Sequence, residues 1–225
     1  MVNAPLIDLF LLGIGIALNP AAVIAIILIL TRTRSSRTGG LFLAGWITGL
    51  LLLVILPSLI IMEGLRRLKG ASAWLPGWAW FLLGGVFLTA AFLSLQDRAR
   101  ELDLSHEPRW AGLITNGSGR RMFGFGATLS VASLRNVVLL AAAVALISNA
   151  SLGMSGVLVA AGFFLLASSL GVLAPLLVYL FGGAGAATLL EAGGDWMQRN
   201  LVWLKIIVLA AVGAGMLLHG IRLSR

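Results

Sequence analysis

The sequence predicts an all-α integral membrane protein whose six transmembrane helices form two inverted three-helix repeats. Three observations predict it. The chain of 225 residues is 60% hydrophobic and only 11% charged, against about 45–50% and about 25% in an average soluble domain, too little polar surface to cover a soluble fold. Six apolar runs, near residues 5–30, 39–62, 77–95, 123–148, 155–181 and 200–221, match the about 20 residues a helix needs to cross a bilayer. No segment alternates polar and apolar side chains over about ten residues, which disfavours a membrane β-barrel.

The first run is not read as a cleaved signal, because Arg32, Arg34 and Arg37 follow its apolar stretch rather than precede it. That order places the N-terminus outside. The inner loops then hold Arg32, Arg34, Arg37, Arg98, Arg100, Arg109, Arg120, Arg121 and Arg199, and the outer segments hold Arg66, Arg67, Lys69, Arg222 and Arg225. This is the expected bias, with the Arg66–Lys69 cluster against it. Both termini are expected on the outer side of the membrane. The net charge of +8 is thus mostly topology, and no basic-aromatic segment points to nucleic acid.

Asn19-Pro20 interrupts the first run at its middle. Pro20 removes one backbone donor and is expected to free the carbonyl of Ile16, which in lipid must find a partner. An ordinary kink and a discontinuous helix lining a site are both open readings, and Gly13 and Gly15 ease the break. Asp8 lies on the same helical face as Gly15 and Asn19. The second run carries Gly45-Trp46, Thr48 and Pro57. The third is short, with Trp74, Trp78 and Trp80 at its entrance, and leads into the only long connection, residues 96–124. That connection is read as a helical extension and an interfacial segment begun by Pro108. It divides the chain into a first three-helix repeat (1–95), a cytoplasmic connection (96–124) and a second repeat (125–225).

The fourth run holds Arg135, twelve residues into a 26-residue apolar stretch. A charge near the midplane costs about 2.5–3.5 kcal/mol on insertion scales, and an interface is about 15 Å away, too far for snorkelling. Thr128, Ser130, Ser133 and Asn136 surround it, and on one continuous helix they form an arc facing the bundle interior. Every acid lies at a span end or in a loop, so two readings stay open. Arg135 donates to carbonyls released at Pro20, or it holds an anionic substrate group. In the fifth run Ser168 and Pro175 are secondary candidates, while Ser168, Ser169 and Tyr179 also read as helix–helix hydrogen-bonding groups. In the sixth, Trp203 and Lys205 read as interface anchors and His219 as interfacial.

The two halves share a weak internal symmetry. Asn19-Pro20-Ala21-Ala22-Val23 lies over Ser133-Leu134-Arg135-Asn136-Val137, while Gly45 precedes Pro57 by twelve residues and Gly162 precedes Pro175 by thirteen. Interrupted helices at matching places of inverted halves point to a transporter site. Zero cysteines exclude thiol chemistry and thiolate metal sites. No nucleophile–base pair, phosphate loop or metal motif is visible, so no enzyme, cofactor or metal is expected.

Three motifs carry a family resemblance: Ala17-Leu18-Asn19-Pro20, Gly45-Trp46-x-x-Gly49, and Arg109-Trp110 leading through Gly119-Arg120-Arg121 and Gly124-x-Gly126 to Leu134-Arg135-Asn136. Together they resemble the GAP/Sap family, the peptidoglycolipid- and sulfolipid-addressing proteins of actinobacteria, grouped with the lysine-exporter superfamily of six-span transporters. The resemblance implies a role in moving or delivering cell-envelope glycolipids. The family's first Asn-Pro falls on Asn19-Pro20 and its Asn-Pro-Lys-Asn on Ser133-Leu134-Arg135-Asn136. With Ser-Leu in place of Asn-Pro, the second helix is expected to run unbroken. Arginine keeps the charge and adds a bidentate grip on an anion.

The leading expectation is a transporter, or transport accessory, for an anionic lipid or small anion. Its midplane site uses Asn19, Pro20, Thr128, Ser133, Arg135 and Asn136, with Asp8, Gly15, Gly45, Thr48, Ser168 and Pro175 as secondary candidates. The alternatives are an amino-acid or small-solute exporter and a non-transporting scaffold for a lipid-export complex. Expected partners are membrane lipids, with a homodimer or lipid-export machinery as further possibilities.

Overall fold

The computed structural model describes residues 3–67, 77–96, 118–150 and 152–223. Among them are nine α-helices, one 3₁₀ turn and no strand. The helices are α1 (Asn3–Ala17), α2 (Pro20–Thr33), α3 (Ser36–Arg67), α4 (Gly77–Gln96), α5 (Gly119–Val131), α6 (Leu134–Asn149), α7 (Met154–Phe181), α8 (Ala186–Arg199) and α9 (Leu201–Leu223). Residues 97–117, with the interfacial segment expected after Pro108, lie outside the described residues. Helix α5 opens at Gly119, inside the segment the sequence assigns to the connection.

Two helices, Ser36–Ile55 and Met154–Phe181, are long and apolar enough to cross a membrane alone, and three bent pairs bring the number to five. The described apolar part of α4, Gly84–Leu93, is shorter. Large apolar side chains cover the outside, among them Val159 (69% exposed), Leu166 (68%) and Phe181 (83%). Soluble monomers rarely show so much exposed apolar surface. A lipid-facing exterior accounts for it, and the chain is a membrane protein.

The first bend, 56° between α1 and α2, follows from Asn19-Pro20. A residue before proline is pushed toward extended backbone, and Asn19 sits at φ −75°, ψ 106°. Its side-chain oxygen accepts from the Ala21 N–H at 3.2 Å, as an N-cap does. Pro20 then occupies the first helical position, where its missing donor costs nothing. The Ile16 carbonyl, expected to be freed, accepts from the Asn19 N–H at 3.0 Å. A proline inside a continuous helix orphans a carbonyl; a proline that starts a new helix does not.

The second bend, 71° between α5 and α6, corrects the expectation of an unbroken fourth span. Ser133 is extended at φ −86°, ψ 120°, and α6 starts one residue later. The arc drawn through Thr128, Ser130, Ser133 and Arg135 therefore does not exist as one helical face. Ser130 is buried but Thr128 is exposed.

Glycines set how the helices meet. A methyl group at Gly45 would overlap the Phe123 carbonyl, one at Gly126 the Phe42 carbonyl, and one at Gly171 the Ala17 carbonyl. Such backbone contact is how helices associate in lipid, where no hydrophobic force drives them together. Residues 45 and 49 of α3 meet residues 123 and 127 of α5, so these helices run parallel; residues 13 and 17 of α1 meet 167 and 171 of α7, likewise parallel. Helices α4 and α9 are antiparallel, Gly84 facing Gly213 and Phe81 facing Gly220. Phe42, Trp46, Phe164 and Ile26 are fully buried at the centre.

These directions bring the α2–α3 corner, the start of α5, the end of α7 and the start of α9 to one end of the bundle. Gly39 of α3 faces Leu30 of α2 and Leu176 of α7, and Gly119 faces Leu41. Arg32, Arg34, Arg37, Arg120, Arg121 and Arg199 share that end. Helix α8 follows α7 there and meets α9 at 75°. It buries Ala186, Leu190 and Gly194, with Gly194 against Ile27 of α2, and exposes Glu191 and Asp195.

Candidate functional site

The two interruptions lie at the same depth. A methyl group on Gly15 of α1 would meet Leu139 of α6 at 3.2 Å. Helix α1 runs parallel to α7, and α6 turns back into α7, so α1 and α6 are antiparallel. Four residues beyond Gly15 is Asn19, and four residues before Leu139 is Arg135. Each is about 6 Å further along the same direction.

Their hydrogen bonding differs. At the first interruption the Ala21 N–H is capped by Asn19, and the Ala22 and Val23 N–H groups both donate to the Asn19 carbonyl at 3.1 Å. The start of α2 is self-satisfied. At the second, Ser133 makes no side-chain cap, and only the Val137 N–H reaches the Ser133 carbonyl, at 3.1 Å. Among the described residues the N–H groups of Arg135 and Asn136 have no backbone partner. Uncapped first-turn donors and the helix dipole make such an end electropositive.

Asn136 holds the second bend together. The break deprives the Ser130 carbonyl of the amide four residues on, and the fully buried Asn136 supplies Nδ2 instead, donating at 2.9 Å. Among the described residues its Oδ1 is buried without a partner. The work Asn19 does forward at the first break, Asn136 does backward at the second. Asn136→Leu should cost about 1–3 kcal/mol by stranding the Ser130 carbonyl, and Asn19→Ala about 1 kcal/mol. Thermal melts of the two variants should rank them in that order.

Arg135 is the second residue of α6 and half-buried. Among the described residues its guanidinium makes no hydrogen bond or ion pair. Of the two readings left open, donation to carbonyls at the first break is not seen among the described residues. A cation at a helix N-terminus opposes the dipole, so α6 begins with an unbalanced positive charge. Chemically, this end can take an anion, with hydrogen bonds from the guanidinium and the free amides.

The secondary candidates separate into distinct places. Asp8 and Gly15 border a cleft between α1 and α9, whereas Pro175 borders an apolar cleft beside α8. Gly45 is a packing contact on Phe123. Thr48 and Ser168 donate back to the Ala44 and Phe164 carbonyls, at 2.8 and 2.7 Å, as hydroxyls in spans commonly do. In the sequence Trp46 and Leu18 stand out only as motif positions; among the described residues Trp46 Nε1, like Ser169 Oγ, is buried without a partner, and Leu18 borders both clefts. An orphaned donor and a shared wall are properties of the assembled bundle with no sequence signal.

A family model described as Sap, sulfolipid-1-addressing protein, matches residues 9–222. The chain belongs to the Sap family. The match runs from α1 into α9 and spans both interruptions. No curated protein and no solved structure matches the chain.

Proposed function

We propose that this Sap-family protein transports envelope lipids or other anionic amphiphiles, or assists their transport, and that the second interruption holds the anionic group. The observation that carries this reading is Arg135, without a counter-charge among the described residues, beside uncapped amides and level with the first interruption. A charge kept inside a membrane without a structural partner is a functional feature by default. The family's name, sulfolipid-1-addressing protein, supports lipid addressing.

Six spans follow if α1 with α2, and α5 with α6, each count as one, joined by α3, α4, α7 and α9. The parallel pairs α1–α7 and α5–α3 are what two inverted repeats would give, each half-helix lying on the long helix of the other half. The arginine-rich end is then cytoplasmic, in an inner membrane, with both termini outside.

Thermal stability of the full chain in phosphatidylcholine nanodiscs tests the reading. Phosphatidylglycerol or a sulfated alkyl amphiphile should stabilise it in a dose-dependent way, and lysine and other amino acids should not. Stabilisation by amino acids alone would favour a small-solute exporter. No response to any of these, with co-purification of a large partner, would favour a scaffold.

A further inference from the structure

The α4–α9 pair joins the rest of the bundle along a narrow line. Among the described residues α4 packs on α9, and α9 reaches the bundle mainly through α1. That seam is not closed. One cleft, with about 100 Å³ of free space, runs between α1 from Asp8 to Leu18 and α9 from Val208 to Met216. A second, of about 320 Å³, lies beyond the first interruption, bordered by Gly171, Pro175, Leu190, Met197 and Leu204. Leu18 forms a wall of both and is 46% exposed.

Helix α9 borders the clefts from Leu204 to Met216, a length of about 18 Å. The groove crosses the depth of the first interruption, and its length is well inside the about 30 Å of a bilayer's hydrocarbon. Among the described residues Asp8, at the far end of the first cleft, is the one charged side chain that borders either. Beyond Asp8 the side chains that border the clefts are apolar and offer a polar ligand no partner. A packed helix, about 10–12 Å wide with its side chains, needs far more room than the about 100 Å³ of the first cleft. An alkyl chain suits the length and the chemistry.

We propose that one alkyl chain of a membrane lipid lies in this groove along α9, entering from the bilayer at the α1–α9 seam and passing Leu18 at the interruption. The proposal rests on the lipid-handling reading and extends it from the anionic group to the chain. In lipid there is no hydrophobic gain for such a chain; what holds it is dispersion contact that an unfilled groove would forfeit.

The test uses the full chain in phosphatidylcholine–phosphatidylglycerol vesicles carrying a trace of phosphatidylglycerol with a diazirine on its acyl chain. Photolabelled peptides are mapped by mass spectrometry. Label is expected on residues 8–18 and 204–216 above the level at Val159 and Leu166, which face bulk lipid. A side chain added at Gly215 meets nothing within 4 Å, so Gly215→Phe should fill the first cleft without moving α1, and groove labelling should fall to the bulk-lipid level. Ala211→Phe fills the same space if the first variant does not fold. Even labelling over the whole surface, or groove labelling unchanged by a folded plug, overturns the proposal. Groove labelling that persists in Arg135→Gln sustains the groove even where the response to anionic headgroups is lost. A retained anion response with no groove labelling overturns the groove alone.

Discussion

Arg135→Gln should make the empty protein more stable and at the same time abolish its response to anionic ligands. The stability gain comes from removing a charge that opposes the α6 dipole, worth about 0.3–1 kcal/mol, and that is half-buried with no counter-charge among the described residues. A gain of about 1 kcal/mol corresponds to about 2–4 °C in Tm for a chain of this size. The ligand loss comes from charge-assisted hydrogen bonds of about 1.5–3 kcal/mol, or about 10- to 100-fold in apparent affinity. Arg135→Lys keeps the charge but not the planar fork, and should restore only part of the response. Paired melts with and without phosphatidylglycerol read both effects. A less stable Arg135→Gln would mean that the guanidinium has a structural partner, and the anion site would be abandoned.

The two interruptions show what was legible in the sequence and what was not. Asn19-Pro20 announces its break because both residues act locally: proline restricts its predecessor, and asparagine caps the helix that proline starts. At the second interruption Ser133 makes no cap, and no proline is present. The decisive bond joins Asn136 to Ser130 across the bend, and it forms only after the chain has turned. Sequence reasoning therefore placed Arg135 on a continuous face with Thr128, which the bend separates. The apolar runs were legible because span length is set by the bilayer rather than by neighbouring helices. Helix α8 was missed, since fourteen residues holding Glu191 and Asp195 lack the uniform hydropathy of a span.

Substituting leucine at Gly126, Gly45 or Gly171 should prevent assembly of the bundle, and alanine should already cost about 3 kcal/mol or more. At each position the new carbon would overlap a carbonyl of the facing helix, Phe42, Phe123 or Ala17. Backbone cannot swing aside as a side chain can, so the helices must separate and lose contacts along their whole length. Gly40 and Gly162 are the controls, because a methyl group there meets nothing within 4 Å. Alanine at those positions should be neutral or stabilising by up to about 1 kcal/mol. Size-exclusion profiles and melts of the five alanine variants separate the two groups, and a Gly171→Ala protein that melts like the wild type would remove the close α1–α7 approach. The position of Gly171 ties this packing to function. It touches Ala17, the last residue of α1 before the interruption, just as Gly49 touches Ser130 near the end of α5. The long helices α7 and α3 thus fix the depths at which α1 and α5 stop. A milder change that only displaces α1, such as Gly13→Ala against Ala167, should shift the first interruption relative to Arg135 and weaken the anion response before it unfolds the protein.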